Sequence, residues 1–354
     1  MAYEVDYIPV GEGERGGDAI AMRLGNLNGP REEQMVVIID GGFKESGGQL
    51  AQHVKSFYNT KKIDLAILTH PDSDHASGLC SVLEDEELEI GALVMHRPWE
   101  HAAIIKSYFK DGRITSSGLE EKLEKSLQHA SDLESLAAKR KITVIEPFEG
   151  VANENGSIRV LGPSMAFYQQ MLAQFGAMPA TKPGLISLLP TTVQKATTEA
   201  IEWIEDNVGV DLLNEDDDTT SAQNNTSTII LFNIDGKKLL FTGDAGKSAL
   251  LNAIAYAESL SIPLNDLTFL DVPHHGSKRN LNSKILKKIK AETSFISGPK
   301  DSTKHPAKKI TNALKKQGTK LYVTRGSSLL HHNQGNARGW GAATEEPFHP
   351  YVEA

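Results

Sequence analysis

The 354-residue chain has one cysteine, Cys80, so no intramolecular disulfide can form. A lone thiol fits a reducing compartment and a cytoplasmic location. Cys80 sits at an apolar position in SGLCSVL and reads as a buried thiol, not a nucleophile. No run approaches the roughly 18 apolar residues of a membrane helix. The polar, acidic opening MAYEVDYIPVGEGERGG lacks the apolar stretch of a secretory signal. The two halves of the chain share no sequence repeat. An overall positive charge is also missing, since the net charge is −9.

That average hides an asymmetry. Between Gly276 and Arg325 there are fourteen Lys and Arg against Glu292 and Asp301, a zone of about +12 in a remainder of about −21. A local basic zone is the footprint of an anionic partner; two helices with lysine outer faces would give the same count.

Strand and helix patterns alternate along the chain. YEVDYIPV, DAIAMRLG and QMVVIIDGG read as strands, SGGQLAQHVKSFYNT as a helix and KIDLAILT as a strand, followed by a helix from residue 75 to 83. IGALVMHRPWEH is a strand entering a loop, 119–140 a long polar helix, and KITVIEPFEG and SIRVLGPS further strands. Residues 165–222 differ. SMAFYQQMLAQFGAM and TTEAIEWIEDNVGV have helical spacing, and NEDDDTTSAQNN is an acidic polar loop whose Glu215–Asp218 run reads as solvated. This stretch is expected to be a helical insertion. STIILFNI and KKLLFTGD then flank Asp235-Gly236, a hairpin signal. Helices over 247–258, 280–290 and 306–317 alternate with the strands LTFLDVP, TSFISG and KLYVT. Little periodicity follows Ser328. The pattern predicts an α/β fold of two sheets face to face with helices outside, one domain over 1–340 and a tail over 341–354.

Chemistry concentrates at strand ends. LTHPDSDHASGL (68–79) places His70, Asp72, Asp74 and His75 on one strand-to-helix turn, where ligands at i, i+2, i+4 and i+5 converge on one point or two. Two carboxylates and two imidazoles this close are costly unless cations neutralise them. Asp40 ends VVIID, Asp244 ends LLFTGD, and His274-His275 follow LTFLDVP. Each alone has a plain reading as turn or cap. Together they form a set, because a layered α/β fold brings strand carboxyl ends to one edge. Asp244 can bridge two metals through its two oxygens.

This set resembles the metallo-β-lactamase superfamily signature, His-x-His-x-Asp-His with a later bridging Asp and a final His. It is most similar to the nuclease-like domain of ComEC/Rec2 DNA-uptake proteins and their stand-alone relatives. GDAI (17–20), IIDGG (38–42), LTHPDSDHASGL, VLGPS (160–164), LLFTGDA (239–245), VPHHGSK (272–278) and ISGPKDSTKHP (296–306) match its blocks in order. The resemblance implies an αββα four-layer sandwich with the helical insertion. It implies a first site of His70, Asp72 and bridging Asp244, and a second of Asp74, His75 and His275 or His274, with Asp40 behind the ligands. Two departures stand out: Asp72 occupies the second-His position, and Gly162 falls where the first site's third His belongs. Carboxylate in place of imidazole favours Mn²⁺ or Mg²⁺ beside Zn²⁺.

The implied reaction is phosphodiester hydrolysis by metal-activated water, with nucleic acid or another phosphodiester as substrate. Asp74 is the candidate to orient the water or take its proton, and His305 the candidate acid or oxyanion donor. Ser277, Lys278, Arg279 and Lys304 are candidate phosphate contacts. His96 and Trp99 in HRPWEH are candidates to shape the cleft, Trp99 by stacking on a base; a packing Trp is the plain alternative. Two other functions stay open: hydrolysis of a lactone, thioester or β-lactam, which needs no basic zone, and a degenerate metal-binding or interaction module.

Overall fold

In the computed structural model, which describes residues 1–182, 203–206, 213 and 220–353, the first half runs β1 (Ala2–Tyr7), β2 (Ala19–Gly25), β3 (Gln34–Gly41), α1 (Lys44–Phe57), β4 (Lys62–Ile67), α2 (Ser73–Glu84), β5 (Glu89–Val94), α3 (Ala102–Ile105), α4 (Ser116–Ser126), α5 (Gln128–Lys139) and β6 (Thr143–Ile145). The second half runs β7 (Ile158–Gly162), α6 (Met165–Leu172), β8 (Trp203–Glu205), β9 (Ile229–Ile234), β10 (Lys237–Phe241), α7 (Lys247–Ser259), β11 (Leu267–Asp271), α8 (Ser283–Leu286), β12 (Ala291–Ile296), α9 (Lys308–Lys316), β13 (Lys320–Val323), β14 (Leu329–His332) and β15 (Tyr351–Glu353).

Two large sheets result, ordered β14-β1-β2-β3-β4-β5-β6 and β13-β12-β11-β10-β9-β7. The alternation that made the strands legible sorts their side chains. Ile20, Met22 and Leu24 of β2 enter a core shared with Phe232, Phe241 and Phe269 of the other sheet, while Ala19 and Ala21 face the helices. Leu50, Val54, Leu79, Leu83, Leu123 and Leu133 cover the first sheet from outside, and Leu250, Ile285, Ile310 and Leu314 cover the second. The layers are therefore helix, sheet, sheet, helix. Asp235 and Gly236 both have positive φ, as a tight two-residue hairpin between β9 and β10 requires.

Within each sheet a run of parallel neighbours, β3-β4-β5 and β10-β11-β12, carries the site. Asp40 lies at the carboxyl end of β3, and His70, Asp244 and His274 follow the carboxyl ends of β4, β10 and β11.

Several expected elements differ. The long helix over 119–140 breaks at Leu127 (φ −120°, ψ 47°) into α4 and α5, and the apolar spacing gives no sign of it. The helix over 280–290 shrinks to the single turn of α8, which starts at the N-cap Asn282, whose Oδ1 accepts from Ile285 N at 2.9 Å; Asn280 stays outside it and bonds Asp244 O and Ala245 O, both at 3.0 Å. Trp203–Glu205, placed in a helix by spacing, pairs antiparallel with Tyr351–Glu353. Most of that expected helix, and Glu215–Asp218, lie outside the described residues. β14, read as irregular tail, adds an edge strand to β1.

Candidate metal centre

The motif turn is shaped from both sides. Gly78, one turn into α2, has room only for hydrogen, since a Cβ there would stand 1.9 Å from Gly41 O. This close contact seats the start of α2 on the end of β3, where Asp40 meets His75. Asp72 occupies the N-cap position of α2, yet its side chain makes no capping bond. Its Oδ2 instead lies 3.7 Å from His70 Nε2. The second histidine segment is a strained turn. His274 (φ 50°), His275 (φ 53°) and Gly276 (φ 74°) are all left-handed, and Asp40 (φ 56°) is too. Non-glycine residues adopt this conformation at a cost of order 1–3 kcal/mol each, so the surroundings must enforce it.

The four histidines present their Nε2 atoms to one carboxylate. Asp244 Oδ2 is 3.8 Å from His70 Nε2 and 3.6 Å from His274 Nε2. Asp244 Oδ1 is 3.7 Å from His75 Nε2 and 3.9 Å from His275 Nε2. Asp74 joins His75 and His275 in a cluster of ligand atoms.

The other ring nitrogens are held from behind. His75 Nδ1 bonds Asp40 Oδ2 at 2.8 Å. Thr69 donates its hydroxyl to Asp40 at 2.6 Å, so its oxygen accepts from His70 Nδ1 at 3.1 Å. Asn280 spends its amide hydrogens on backbone carbonyls, so its Oδ1 accepts from His274 Nδ1 at 3.1 Å. These partners leave Nε2 as the nitrogen facing Asp244.

The electrostatics divide the four rings. Burial, then the neighbouring imidazoles, hold His70 well below the usual histidine range. Burial, then His275 and His305, push His274 down to about 3. Burial opposes charge on His275 too, but Asp244 and Asp18 lift it to about 9; His75 is raised likewise against burial, by Asp40 and Asp244. Burial raises Asp244 to about 7, and burial with Asp74 raises Asp72 to about 6. Neutral His70 and His274 thus aim lone pairs at a carboxylate oxygen. His70 Nε2, His75 Nε2 and Asp244 Oδ1 are all buried without a hydrogen-bond partner. Each unsatisfied buried group costs about 1–3 kcal/mol. A cation on either side of Asp244 would satisfy all of them, so the residues fit divalent metals.

No family model matches the sequence, and no curated protein sequence does. Solved structures do match. They include the metallo-β-lactamase fold protein YhfI from Bacillus subtilis, at 10% identity over 93% of this chain and 99% of that one, TM-score 0.44. Zn²⁺-bound PqqB from Methylobacterium extorquens is 10% identical over 93% and 99%, TM-score 0.42. A diphosphatase of the PhnP family is 11% identical over 94% and 98%, TM-score 0.42. The chain is similar in fold to a metallo-β-lactamase fold protein. The layered architecture rests on the strand order and core clusters above.

His70, Asp72, Asp74, His75, Asp244, His274 and His275 all come together, and Asp40 stands behind His75. His274 and His275 face different oxygens of Asp244. Gly162 points elsewhere: a Cβ there would meet Ala253 and Ile229. His305 stacks on His274 with ring centroids 5.9 Å apart, and burial with nearby His275 brings it down to about 4. Lys278, Arg279 and Lys304 are exposed, and Ser277 is buried.

The cleft roles expected of His96 and Trp99 do not fit. Trp99 is 4% exposed in the helix-side core, and His96 is 5% exposed, stacked on Tyr168 at 4.3 Å. Neither offers a face to a base. Cys80 is buried as expected, and burial, then Asp132 and Glu84, push its thiol up to about 12.

Sequence reasoning missed Asp18, Asn224 and Asn280. Asp18 is buried against His75 and His275. Asn224, in what reads as a solvated loop, donates to Asp244 Oδ2 at 3.0 Å. The signal for Asp18 was its place in the GDAI block; Asn224 and Asn280 carried none.

Proposed function

We propose that the chain is a metal-dependent hydrolase of phosphodiesters, with nucleic acid as its substrate class and two divalent cations at its centre. The observation that carries this reading is the convergence of four Nε2 atoms on Asp244, with two of them, on His70 and His75, and Asp244 Oδ1 itself buried without a partner. His70, His274, Asp72 and Asp244 Oδ2 would hold the first cation; His75, His275, Asp74 and Asp244 Oδ1 the second. Mixed imidazole and carboxylate donors suit Mn²⁺ or Zn²⁺, with Mg²⁺ as a third option.

Bound there, divalent cations supply Lewis acidity, which acidifies water and offsets charge on phosphoryl oxygens. The protein's own part is placement. Asp74 sits in the first turn of α2 beside His75, where its carboxylate orients the attacking water and takes its proton. His305 has a buried, unpartnered Nδ1 and offers a hydrogen bond to the leaving oxygen. Exposed Lys278, Arg279 and Lys304 border this turn and hold phosphates on either side of the scissile bond. The ordered blocks similar to ComEC/Rec2-type nuclease domains favour nucleic acid over a small phosphodiester, and a rim of cations has no use for an uncharged acyl substrate.

The test is a substrate panel with Mn²⁺: single-stranded DNA, single-stranded RNA and bis-p-nitrophenyl phosphate, beside nitrocefin and a thioester. Turnover is expected for phosphodiesters, and Asp74→Ala should lower it about 10²–10⁴-fold with the fold intact. Turnover confined to nitrocefin or the thioester would overturn the substrate class. Metal uptake without any turnover would leave a binding module.

A further inference from the structure

Asp18 is 3% exposed and has no part in the roles above. Its Oδ1 lies 3.6 Å from His275 Nδ1 and its Oδ2 lies 3.9 Å from His75 Nδ1. His75 already has Asp40 for that nitrogen. His275 has no equivalent: its Nδ1 is buried without a hydrogen-bond partner, and Asp18 is the carboxylate that faces it.

This approach is built into the chain. Asp18 closes the glycine-rich loop between β1 and β2, and that loop lies directly on the second pair of ligands. A Cβ on Gly16 would stand 3.1 Å from His275 Cδ2, and one on Gly17 would stand 2.2 Å from Asp74 O. Residues without side chains are needed for the loop to lie so close and still place Asp18 behind the rings. The loop is pinned at both ends. Gly13 N donates to Lys300 O at 2.7 Å, Thr303 Oγ1 donates to Glu14 Oε1 at 2.8 Å, and Ser297 Oγ donates to Gly17 O at 2.7 Å.

We infer that Asp18 is a positioning residue for the second cation position, doing for His275 what Asp40 does for His75. Its carboxylate attracts the Nδ1–H of His275, and more weakly that of His75, and so keeps both Nε2 atoms turned to Asp244 Oδ1. An imidazole ligand needs such a partner to fix its tautomer and ring orientation. The two sides of Asp244 then differ in support. Thr69 and Asn280, both neutral, back the first pair of histidines, and Asp40 and Asp18, both carboxylates, back the second. The inference rests on the two-cation reading above.

Cobalt(II) titration of the full chain, stripped of cations and followed by visible absorption, tests this without turnover. The wild type is expected to take up two equivalents. Asp18→Asn keeps the shape and removes the charge. It is expected to bind the second equivalent about 10–100-fold more weakly, with an altered absorption band, and the first as in the wild type. His275→Ala supplies the reference for a lost second position. Should Asp18→Asn fail to fold, Asp18→Ser replaces it, because it removes the same carboxylate with a smaller side chain; it is expected to weaken the same equivalent. Two equivalents bound by the variant within about twofold of wild type would overturn the inference alone. A wild type that binds no cobalt would overturn the two-cation reading, and the role of Asp18 with it.

Discussion

Buried histidines are not alike in this chain. Those around Asp244 have a partner or a facing carboxylate at Nδ1 and a lone pair or proton aimed at Asp244 from Nε2. His96 has neither: both ring nitrogens are buried and unpartnered. Burial, with His101 adding to it, holds His96 down to about 3. The unfolded chain therefore binds a proton between pH 6.5 and 3 that the folded chain does not. The stability this neutral ring permits is complete above pH 6.5 and is lost as pH falls through that window, about 2 kcal/mol by pH 5. Replacing the ring with one that cannot titrate removes the term. His96→Phe should thus lose about 2 kcal/mol less than wild type between pH 7.5 and 5, read from urea midpoints at the two pH values. An equal loss would assign the acid sensitivity elsewhere. At this scale the sequence was most informative where ligands are consecutive. His70, Asp72, Asp74 and His75 crowd one turn, and their mutual repulsion is legible without coordinates. Asp18 was not legible as a contact, since an aspartate after Gly-Gly has the same local pattern as an ordinary turn. Trp99 in HRPWEH was ambiguous for a related reason: an aromatic residue in a loop does not reveal which way it faces.

Strands misled where charge pairs are buried. YEVDYIPV alternates only in part, and Glu4 and Asp6 of β1 are fully buried. Arg338, from the segment after β14, reaches both: its guanidinium contacts Glu4 at 2.5 Å and Asp6 at 2.9 Å. Arg23 adds a bond to Glu4 at 3.0 Å, and Tyr58 donates to Asp6 at 2.6 Å. No local pattern announces a partner more than three hundred residues away. Arg338→Ala leaves two buried carboxylates short of a counter-ion and should cost about 3–5 kcal/mol, measured by urea unfolding. A loss below about 1 kcal/mol would mean that Arg23 and water suffice. The same dependence on remote partners hid β14 and β15. Each is only a few residues long and exists because β1 or β8 pairs with it. The long runs of β3, β9 and β10, by contrast, were readable from their own composition.

At the scale of the molecule, the basic zone is smaller than its count. Acidic residues outside it neutralise part of it: Lys315 pairs with Glu345 at 2.5 Å, Arg325 with Glu346, and Lys316 with Asp206 at 2.6 Å. Glu353 accepts from the backbone of Lys308 and Lys309 at the start of α9. Lys278, Arg279 and Lys304 remain exposed beside the histidine turn. If those three meet phosphates, affinity for single-stranded DNA should fall with a log–log salt slope of about −2, and Lys278→Ala should reduce that slope by about 0.7. Kinetics on bis-p-nitrophenyl phosphate should change little with salt. A slope near zero would remove the basic rim from the account. The proposed chemistry depends on cations at Asp244, and anomalous diffraction from crystals grown with Mn²⁺, recorded on both sides of its absorption edge, tests this most directly. Two peaks are predicted, one between Asp244 and the His70–His274 pair and one between Asp244 and the His75–His275 pair. An intact histidine cluster with no anomalous peak beside Asp244 would contradict the account.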